Sequence, residues 1–306
     1  MADLTPAQLR EKLVHGPMLF DGAMGTQLME AGVGTGECGV AWNVDKPDAI
    51  EAIHRRYLDA GCDFLTTNTF QGSREALGMH GLSDRAAELN RAGAEAARRA
   101  AGADARVAAD IGPFGGFLEP LGPTTADELM EIFQEQLNAQ REGGADVALV
   151  ETMSDASEAT RAIAAAKAVG GAMGDWPVIS TYAFQKADDR FVTMMGTSAG
   201  DAVRASIDAG ADVVGANCGS GLDLDDYVRL VEALAGAAGD TPVMIQPNAG
   251  SPVDRDGELS YPATPQDMAA IVPRLVSAGA AIVGGCCGTT PDHLAAMRKA
   301  LDATTA

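Results

Sequence analysis

Four segments of the chain share one pattern of apolar and polar positions. They are DAGCDFLTTN from Asp59, EGGADVALVET from Glu142, DAGADVVGANC from Asp208 and SAGAAIVGGCC from Ser277. In each segment a helical pattern ends at a glycine, which readily takes the left-handed conformation that closes a helix: Gly61, Gly144, Gly210 and Gly279. A short apolar run follows, with the length of a buried strand. The pattern predicts four helix–strand units.

A second set of apolar runs lies between these units: PMLFDGAMGT, ARVAADIGP, PVISTYAF and PVMIQPNAG. The four glycines are 66 to 83 residues apart, so each interval has room for two strand–helix units. We therefore predict eight strands, near residues 17–21, 63–67, 106–111, 146–151, 177–182, 212–217, 242–246 and 281–285.

Helical patterns separate these strands. We predict helices at Pro47–Ala60, Ser83–Ala101, Thr125–Gly143, Asp155–Val169, Ser198–Ala209, Leu224–Ala235, Thr264–Ala278 and Pro291–Leu301. Eight alternating strands and helices favour an α/β fold of the (β/α)8 barrel type, forming a single domain over residues 1–306. A doubly wound open sheet is the alternative.

The barrel prediction places the functional site. Active sites of this fold lie at the carboxyl ends of the strands, and alternate strands contribute to the same layers of side chains. Strands two, four, six and eight end in a small set of polar residues: Thr67 and Asn68, Glu151, Asn217 and Cys218, and Cys286 and Cys287. We expect these side chains to surround one pocket.

Three of these residues are cysteines, which suit a soft or borderline metal ion such as zinc. The glycines around the adjacent pair, in the stretch GGCCG, let both thiols turn towards one ion. Three protein ligands leave a fourth position for water or substrate, as in catalytic zinc sites. The alternative is that Cys218, Cys286 and Cys287 are small buried core residues.

A zinc ion with three thiolate ligands is a weak Lewis acid but binds a further thiol and deprotonates it. Because the thiolate is the nucleophile, the site predicts a thiol substrate that is activated for attack. We expect Cys38 and Cys62 to be structural. His15, His54 and His80 are scattered and fit no catalytic triad, and His293 follows TTPD at the start of the last helix, where we do not expect a metal ligand.

Composition excludes several other classes of function. The formal net charge of -21 and the isoelectric point of about 4.4 disfavour binding to nucleic acid or to an anionic membrane. No apolar run approaches the roughly 20 residues of a membrane helix, and the first residues lack a signal-peptide core. Five dispersed cysteines do not suggest a disulfide framework. We predict a cytoplasmic protein.

Seven motifs occur in order along the chain: FDGAMGT, TNTF, ADIGP, VETMSD, GANCGSG, QPNAG and GGCCGTTPDH. Together they resemble the homocysteine S-methyltransferase family, and in particular the homocysteine-binding module of cobalamin-dependent methionine synthases. The resemblance extends from about residue 8 to residue 302. It implies a (β/α)8 barrel and a zinc ion bound by Cys218, Cys286 and Cys287, with the sulfur of homocysteine as the fourth ligand.

The resemblance also implies residues that bind the substrate. Asp21 and Glu151 would line the homocysteine pocket, with Glu151 holding the ammonium group. Backbone N–H groups around Gly22, Ala23 and Met24 would receive the carboxylate. Further pocket candidates are Asn217, Asn68 and Asn248.

The implied function is methyl transfer to homocysteine, which gives methionine. No cobalamin-binding pattern is found in the sequence, so we expect the methyl donor to be free or delivered by another protein. The motifs TNTF and ADIGP resemble the cobalamin-dependent type and favour methylcobalamin as the donor, free or on a separate corrinoid protein or folate/cobalamin module. S-methylmethionine, S-adenosylmethionine and betaine are alternative donors. A further alternative is a zinc- and thiol-binding module that turns over only with a partner.

Overall fold

Each of the eight apolar runs forms a strand at its predicted position. The computed structural model describes residues 4–173, 175–255 and 258–305. Its eight parallel strands are β1 (Met18–Leu19), β2 (Phe64–Thr66), β3 (Arg106–Ile111), β4 (Val147–Met153), β5 (Val178–Tyr182), β6 (Val213–Asn217), β7 (Val243–Gln246) and β8 (Ala280–Val283). Neighbours along the chain pair with each other, and β1 pairs with β8. The (β/α)8 barrel is confirmed, and the open sheet is excluded.

Closure between β1 and β2 depends on few contacts, because both strands are short. A single parallel bridge joins Phe20 to Phe64, whose rings stack with centroids 4.4 Å apart. The Asp63 carboxylate accepts a hydrogen bond of 2.7 Å from the Leu19 N–H, and the Asp63 N–H donates to the Leu19 carbonyl at 2.8 Å.

The interior of the barrel is apolar at its amino-terminal end. Inward-facing side chains from the strands form one buried cluster that also includes Leu4 and Leu9. Leu9 belongs to helix α1 (Pro6–His15), so this helix covers the amino-terminal end of the barrel. The opposite end, where the strands terminate, remains available for a site.

Eight helices follow the predicted ones closely and form the outer layer. They are α4 (Pro47–Asp59), α6 (Ala86–Ala101), α7 (Ala126–Glu142), α8 (Ala156–Met173), α9 (Ala199–Asp208), α10 (Leu224–Ala238), α11 (Pro265–Ser277) and α12 (Pro291–Thr305). Capping boxes begin α7 at Thr125 and α11 at Thr264. The four predicted helix-ending glycines all have positive φ, between 91° and 115°. The Ser83–Ala101 prediction differs slightly, since Ser83–Arg85 forms a 3₁₀ turn before α6.

Several shorter elements were not predicted. They are α1, α2 (Met24–Glu30), α3 (Trp42–Asp45), α5 (Arg74–Gly78), the hairpin of Phe184–Ala187 with Arg190–Thr193, and the hairpin of Val253–Arg255 with Glu258–Ser260. Apart from α1, all lie in connections that follow strand ends, so they build the rim of the mouth. None of the described helices combines the length and apolarity needed to cross a membrane.

His54 on α4 is fully buried, and neither ring nitrogen has a hydrogen-bond partner among the described residues. Burial lowers its pKa from 6.5 to about 4. The unfolded chain takes up a proton as the pH falls through 6.5, whereas the folded protein does not until about pH 4. We therefore predict that His54 lowers the free energy of unfolding by about 1.4 kcal/mol for each unit by which the pH falls across this window.

Urea unfolding of the wild type and of His54→Gln at pH 7.5 and pH 5 checks this prediction. The wild type should lose stability relative to the variant at the lower pH, because the carboxyl groups shared by both proteins cancel. A stability difference that is the same at both pH values would contradict it.

Candidate active site

The three cysteines predicted as metal ligands meet at the mouth of the barrel. Their sulfur atoms all lie within 4.8 Å of one another. The Cys218 and Cys287 sulfurs are 3.8 Å apart, and those of Cys286 and Cys287 are 4.0 Å apart. Zinc–sulfur bonds of about 2.3 Å in a tetrahedral site place two sulfurs roughly 3.8 Å apart. The spacing therefore fits one zinc ion held by all three thiols.

The backbone around the adjacent cysteines is held in place by the neighbouring strand ends. Cys286 N–H donates to the Pro247 carbonyl at 2.8 Å, and the Cys287 carbonyl accepts from Ala249 N–H at 2.9 Å. A Cβ atom at Gly285 would lie 2.5 Å from the Thr289 hydroxyl oxygen. Glycine is therefore required here by close approach of the Thr289 side chain.

Cys218 reaches the same point from β6 through a strained backbone. Its φ is +53°, a conformation that residues with a side chain seldom adopt. The Tyr227 hydroxyl donates to the Cys218 carbonyl at 2.6 Å and accepts from Asn248 N–H at 3.3 Å. Strain of this kind persists where surrounding contacts fix the backbone.

The three thiols have different proton affinities. Hydrogen bonds with Cys218 and then Cys286 lower the pKa of Cys287 far below its usual range. Hydrogen bonding with Cys218 and Cys287 raises the pKa of Cys286 well above it. The cluster thus favours a thiolate at Cys287, and ionisation of all three sulfurs requires a cation among them.

Two carboxyl groups lie beside the thiols. Glu151 of β4 and Asp110 of β3 share a hydrogen bond. Burial, followed by the charges of Asp21 and Cys287, raises the pKa of Glu151 to about 8. Burial and the charge of Glu151 raise the pKa of Asp110 well above its usual range. Both residues line the cavity, so the pair can accept a hydrogen bond from a cationic ligand.

Asn217 holds the Glu151 side chain in position through a hydrogen bond. Its Nδ2 donates to Glu151 Oε2 at 3.1 Å and to the Thr152 hydroxyl at 2.6 Å. Its Oδ1 accepts from Thr152 N–H and from the Thr181 hydroxyl, both at 2.8 Å. Nδ2 is 3.9 Å from the Cys286 sulfur. Asn217 therefore connects the carboxylate to the thiol cluster.

Asp21 lies beneath the site and joins two strands. Its carboxylate accepts hydrogen bonds from Thr66 N–H at 2.7 Å and from the Thr66 hydroxyl at 2.6 Å. Burial raises its pKa to about 7. The next residues, Gly22 and Ala23, line the cavity, and Ala23 N–H donates to the Thr289 hydroxyl at 3.1 Å.

The two remaining asparagine candidates support loops. Asn68 lines the cavity, and its Nδ2 donates to the Gly39 carbonyl and to Asn43 Oδ1, both at 2.9 Å. Asn248 lies outside the lining residues and donates to the Gly219 carbonyl at 3.1 Å, next to Cys218. It thus helps to hold the turn that carries the first cysteine.

A cavity of about 450 Å³ opens above these groups, a size typical of small-molecule sites. Besides the residues already described, its lining includes Met24, Leu28, Met29, Val40, Phe70, Gln71, Gln246 and Tyr261. Two of the lining residues, Asp110 and Tyr261, were not predicted as site residues from the sequence. Asp110 lies on an odd-numbered strand, outside the alternate set, although the motif ADIGP contains it. No signal in the sequence marks Tyr261.

The other cysteines and His293 lie away from the thiol cluster. Cys62 is buried in the main hydrophobic core, and Cys38 packs against a small cluster with Val40 and Leu77. His293 Nδ1 accepts a hydrogen bond of 3.1 Å from Thr290 N–H. These positions agree with structural roles for all three.

Fold and site together define a (β/α)8 barrel with a three-thiol cluster suited to a metal ion at its mouth. The homocysteine S-methyltransferase family profile matches residues 18–301. The chain belongs to the homocysteine S-methyltransferase family, which confirms the resemblance seen in the motifs.

Curated relatives include two methionine synthases. The chain is 32% identical to that of Mycobacterium leprae over 307 aligned positions, covering 96% of this chain and 25% of that protein. It is also 32% identical to that of Mycobacterium tuberculosis, covering 97% of this chain and 26% of that protein. The chain thus spans about a quarter of the length of these relatives.

The fold is also that of a solved structure, the metallated form of the homocysteine methyltransferase MmuM from Escherichia coli. The TM-score is 0.71 at 23% identity, with 92% of this chain and 96% of that chain covered. Its oxidized form gives a TM-score of 0.72 at 24% identity.

The sulfur geometry predicts about one zinc ion per chain in protein purified under reducing conditions. Cys287→Ala should lose this zinc, because two thiols cannot complete the site. Cys38→Ser is the matched control and should retain it. Metal analysis by mass spectrometry measures both, and a wild type without zinc would contradict the prediction.

Proposed function

We propose that this chain catalyses zinc-dependent methyl transfer to the thiol of homocysteine and so forms methionine. The observation that carries the proposal is a cluster of three thiols within 4.8 Å, beside the buried carboxyl group of Asp110 and the half-buried one of Glu151 at the barrel mouth. The family membership and the relatives named methionine synthase support the same reaction.

A zinc ion at the three thiolates supplies a binding site for the substrate thiol and favours its thiolate form. In the transfer itself the homocysteine sulfur forms a bond to the methyl carbon. The bond between that carbon and the donor breaks, and its electron pair leaves with the donor. The thiol proton is released to solvent. No covalent intermediate with the protein is required.

The carboxyl pair is placed to orient the amino acid end of the substrate. The ammonium group of homocysteine would bind Glu151 and Asp110, which both line the cavity, through charge-assisted hydrogen bonds. Asn217 holds Glu151 in position for this contact. The substrate carboxylate would lie at the wall formed by Gly22 and Ala23. Asp21 supports that wall by fixing β1 to β2.

For the methyl donor we favour methylcobalamin, free or carried by a corrinoid protein. Large apolar side chains are exposed on two rim loops, namely Phe117, Leu121, Met194 and Met195. These loops follow β3 and β5, so they face a partner that approaches the mouth. Exposed apolar groups at a rim are typical of protein docking surfaces.

The carboxyl pair generates a substrate-binding prediction. Glu151→Gln removes the charge that faces the substrate ammonium and should weaken homocysteine binding about 10-fold or more. Zinc content should not change, because Glu151 contributes no ligand. Calorimetric titration with homocysteine and metal analysis measure the two effects.

Glu158→Gln is the matched control. Glu158 on α8 is buried, burial raises its pKa to about 7, and its carboxylate accepts from Phe114 N–H at 2.7 Å. It does not line the cavity, so its variant should bind homocysteine as the wild type does. Equal affinity in Glu151→Gln would remove Glu151 from the substrate site.

The donor is identified by supplying each candidate separately with homocysteine and measuring methionine. We predict turnover with methylcobalamin, and faster turnover when a corrinoid protein carries it. Methionine formed only from S-methylmethionine, S-adenosylmethionine or betaine would reassign the donor. Turnover that requires the corrinoid protein would favour the module alternative, and no methionine under any condition would refute the proposed activity.

A further inference from the structure

A short segment after β7, residues 261–263, is fastened to the loop that carries Cys286 and Cys287. We call it the strap. Ala263 N–H donates to the Ala249 carbonyl at 2.9 Å, and Ala249 N–H donates to the Cys287 carbonyl, also at 2.9 Å. The strap and the cysteine loop are therefore joined through one residue.

The first residue of the strap, Tyr261, lies directly on the backbone after Cys287. A Cβ atom at Gly288 would be only 2.2 Å from Tyr261 Cγ, so the ring occupies the space of the missing side chain. Gly288 also has a φ of +79°, which favours glycine. The Tyr261 hydroxyl lies beside the Cys287 sulfur, and both side chains line the cavity.

The far end of the strap is held by His293. Its Nδ1 accepts from Thr290 N–H at 3.1 Å, which leaves the proton of a neutral ring on Nε2. Nε2 lies 3.0 Å from the Ala263 carbonyl and donates to it. His293 is almost completely buried, with 8% exposed. This contact gives His293 a structural role at the strap.

We propose that Tyr261 is a positioning residue for the metal ligand Cys287, held in place by His293 through the strap. The inference rests on the zinc site of the proposed function. A hydrogen bond to a ligand atom fixes the direction of its lone pairs and tunes the charge that it donates to the metal.

The test is Tyr261→Phe, which removes the hydroxyl and keeps the ring on Gly288. Zinc affinity, measured by competition with a chromogenic chelator, should fall about 10-fold. In the cobalt-substituted protein the thiolate-to-metal charge-transfer band should shift. Tyr182→Phe is the matched control: it removes a buried hydroxyl that is 3.2 Å from the Ser206 hydroxyl, away from the cysteines, and should change neither reading.

His293→Ala provides a second variant. This variant should also bind zinc more weakly than the wild type. The loss of zinc affinity should be smaller when His293→Ala is made in the Tyr261→Phe background, because both changes act through one contact. Wild-type affinity and an unshifted cobalt band in Tyr261→Phe would overturn the inference while leaving the zinc site intact. A wild type that binds no zinc would instead refute the proposed function, and the inference with it.

Discussion

The close approach of three thiols at one point is the constraint on which the mouth of this barrel depends. Sulfur atoms that all lie within 4.8 Å of one another repel one another when ionised, so the backbone must hold them there. Each cysteine segment is accordingly bound to a neighbouring strand end. Cys286 N–H is bonded to the Pro247 carbonyl, and the Cys218 carbonyl to the Tyr227 hydroxyl. The strained φ of Cys218 is a consequence of the same convergence.

The barrel itself places these segments side by side. Its closure between β1 and β2 depends on few backbone contacts, and the side chain of Asp21, next to the site, strengthens it. β1 has only two residues and β2 only three. The Asp21 carboxylate bonds to Thr66 twice and so adds contacts where ladder hydrogen bonds are few. A residue identified as a pocket candidate thereby also stabilises the fold. Because the Asp21 carboxylate is bonded to Thr66, Gly22 and Ala23 form the cavity wall in its place.

Periodicity in the sequence was sufficient to predict the architecture because every repeat uses the same local physics. Helix-ending glycines, capping residues such as Thr125 and Thr264, and apolar runs of strand length are all short-range signals. The thiol cluster followed from topology, since alternate strand ends meet in a closed barrel. The resemblance to a known family added the proposed identity of the substrate thiol.

Long-range contacts between loops could not be predicted in this way. Tyr261 approaches Gly288 only because the chain after β7 folds back on the loop after β8, and no local pattern encodes that distance. The Asp110–Glu151 contact joins two adjacent strands, whereas the alternation argument considered only every second one. The rim elements α2, α3 and α5 were missed for a related reason, because they are short and occupy segments that resemble loops.

The charges around the cavity explain what kind of thiol the site would select. The lining includes Asp110, Glu151 and three cysteines, and none of its described residues is a lysine or an arginine. Buried negative groups without cationic partners are costly unless they are protonated or a ligand compensates them. A metal ion would satisfy the sulfurs, and an ammonium group would satisfy the carboxyl pair. An amino acid thiol supplies the second cation itself, whereas a simple mercapto acid would add negative charge beside Glu151. The electrostatics of the cavity thus favour an amino thiol such as homocysteine over other thiols of similar size.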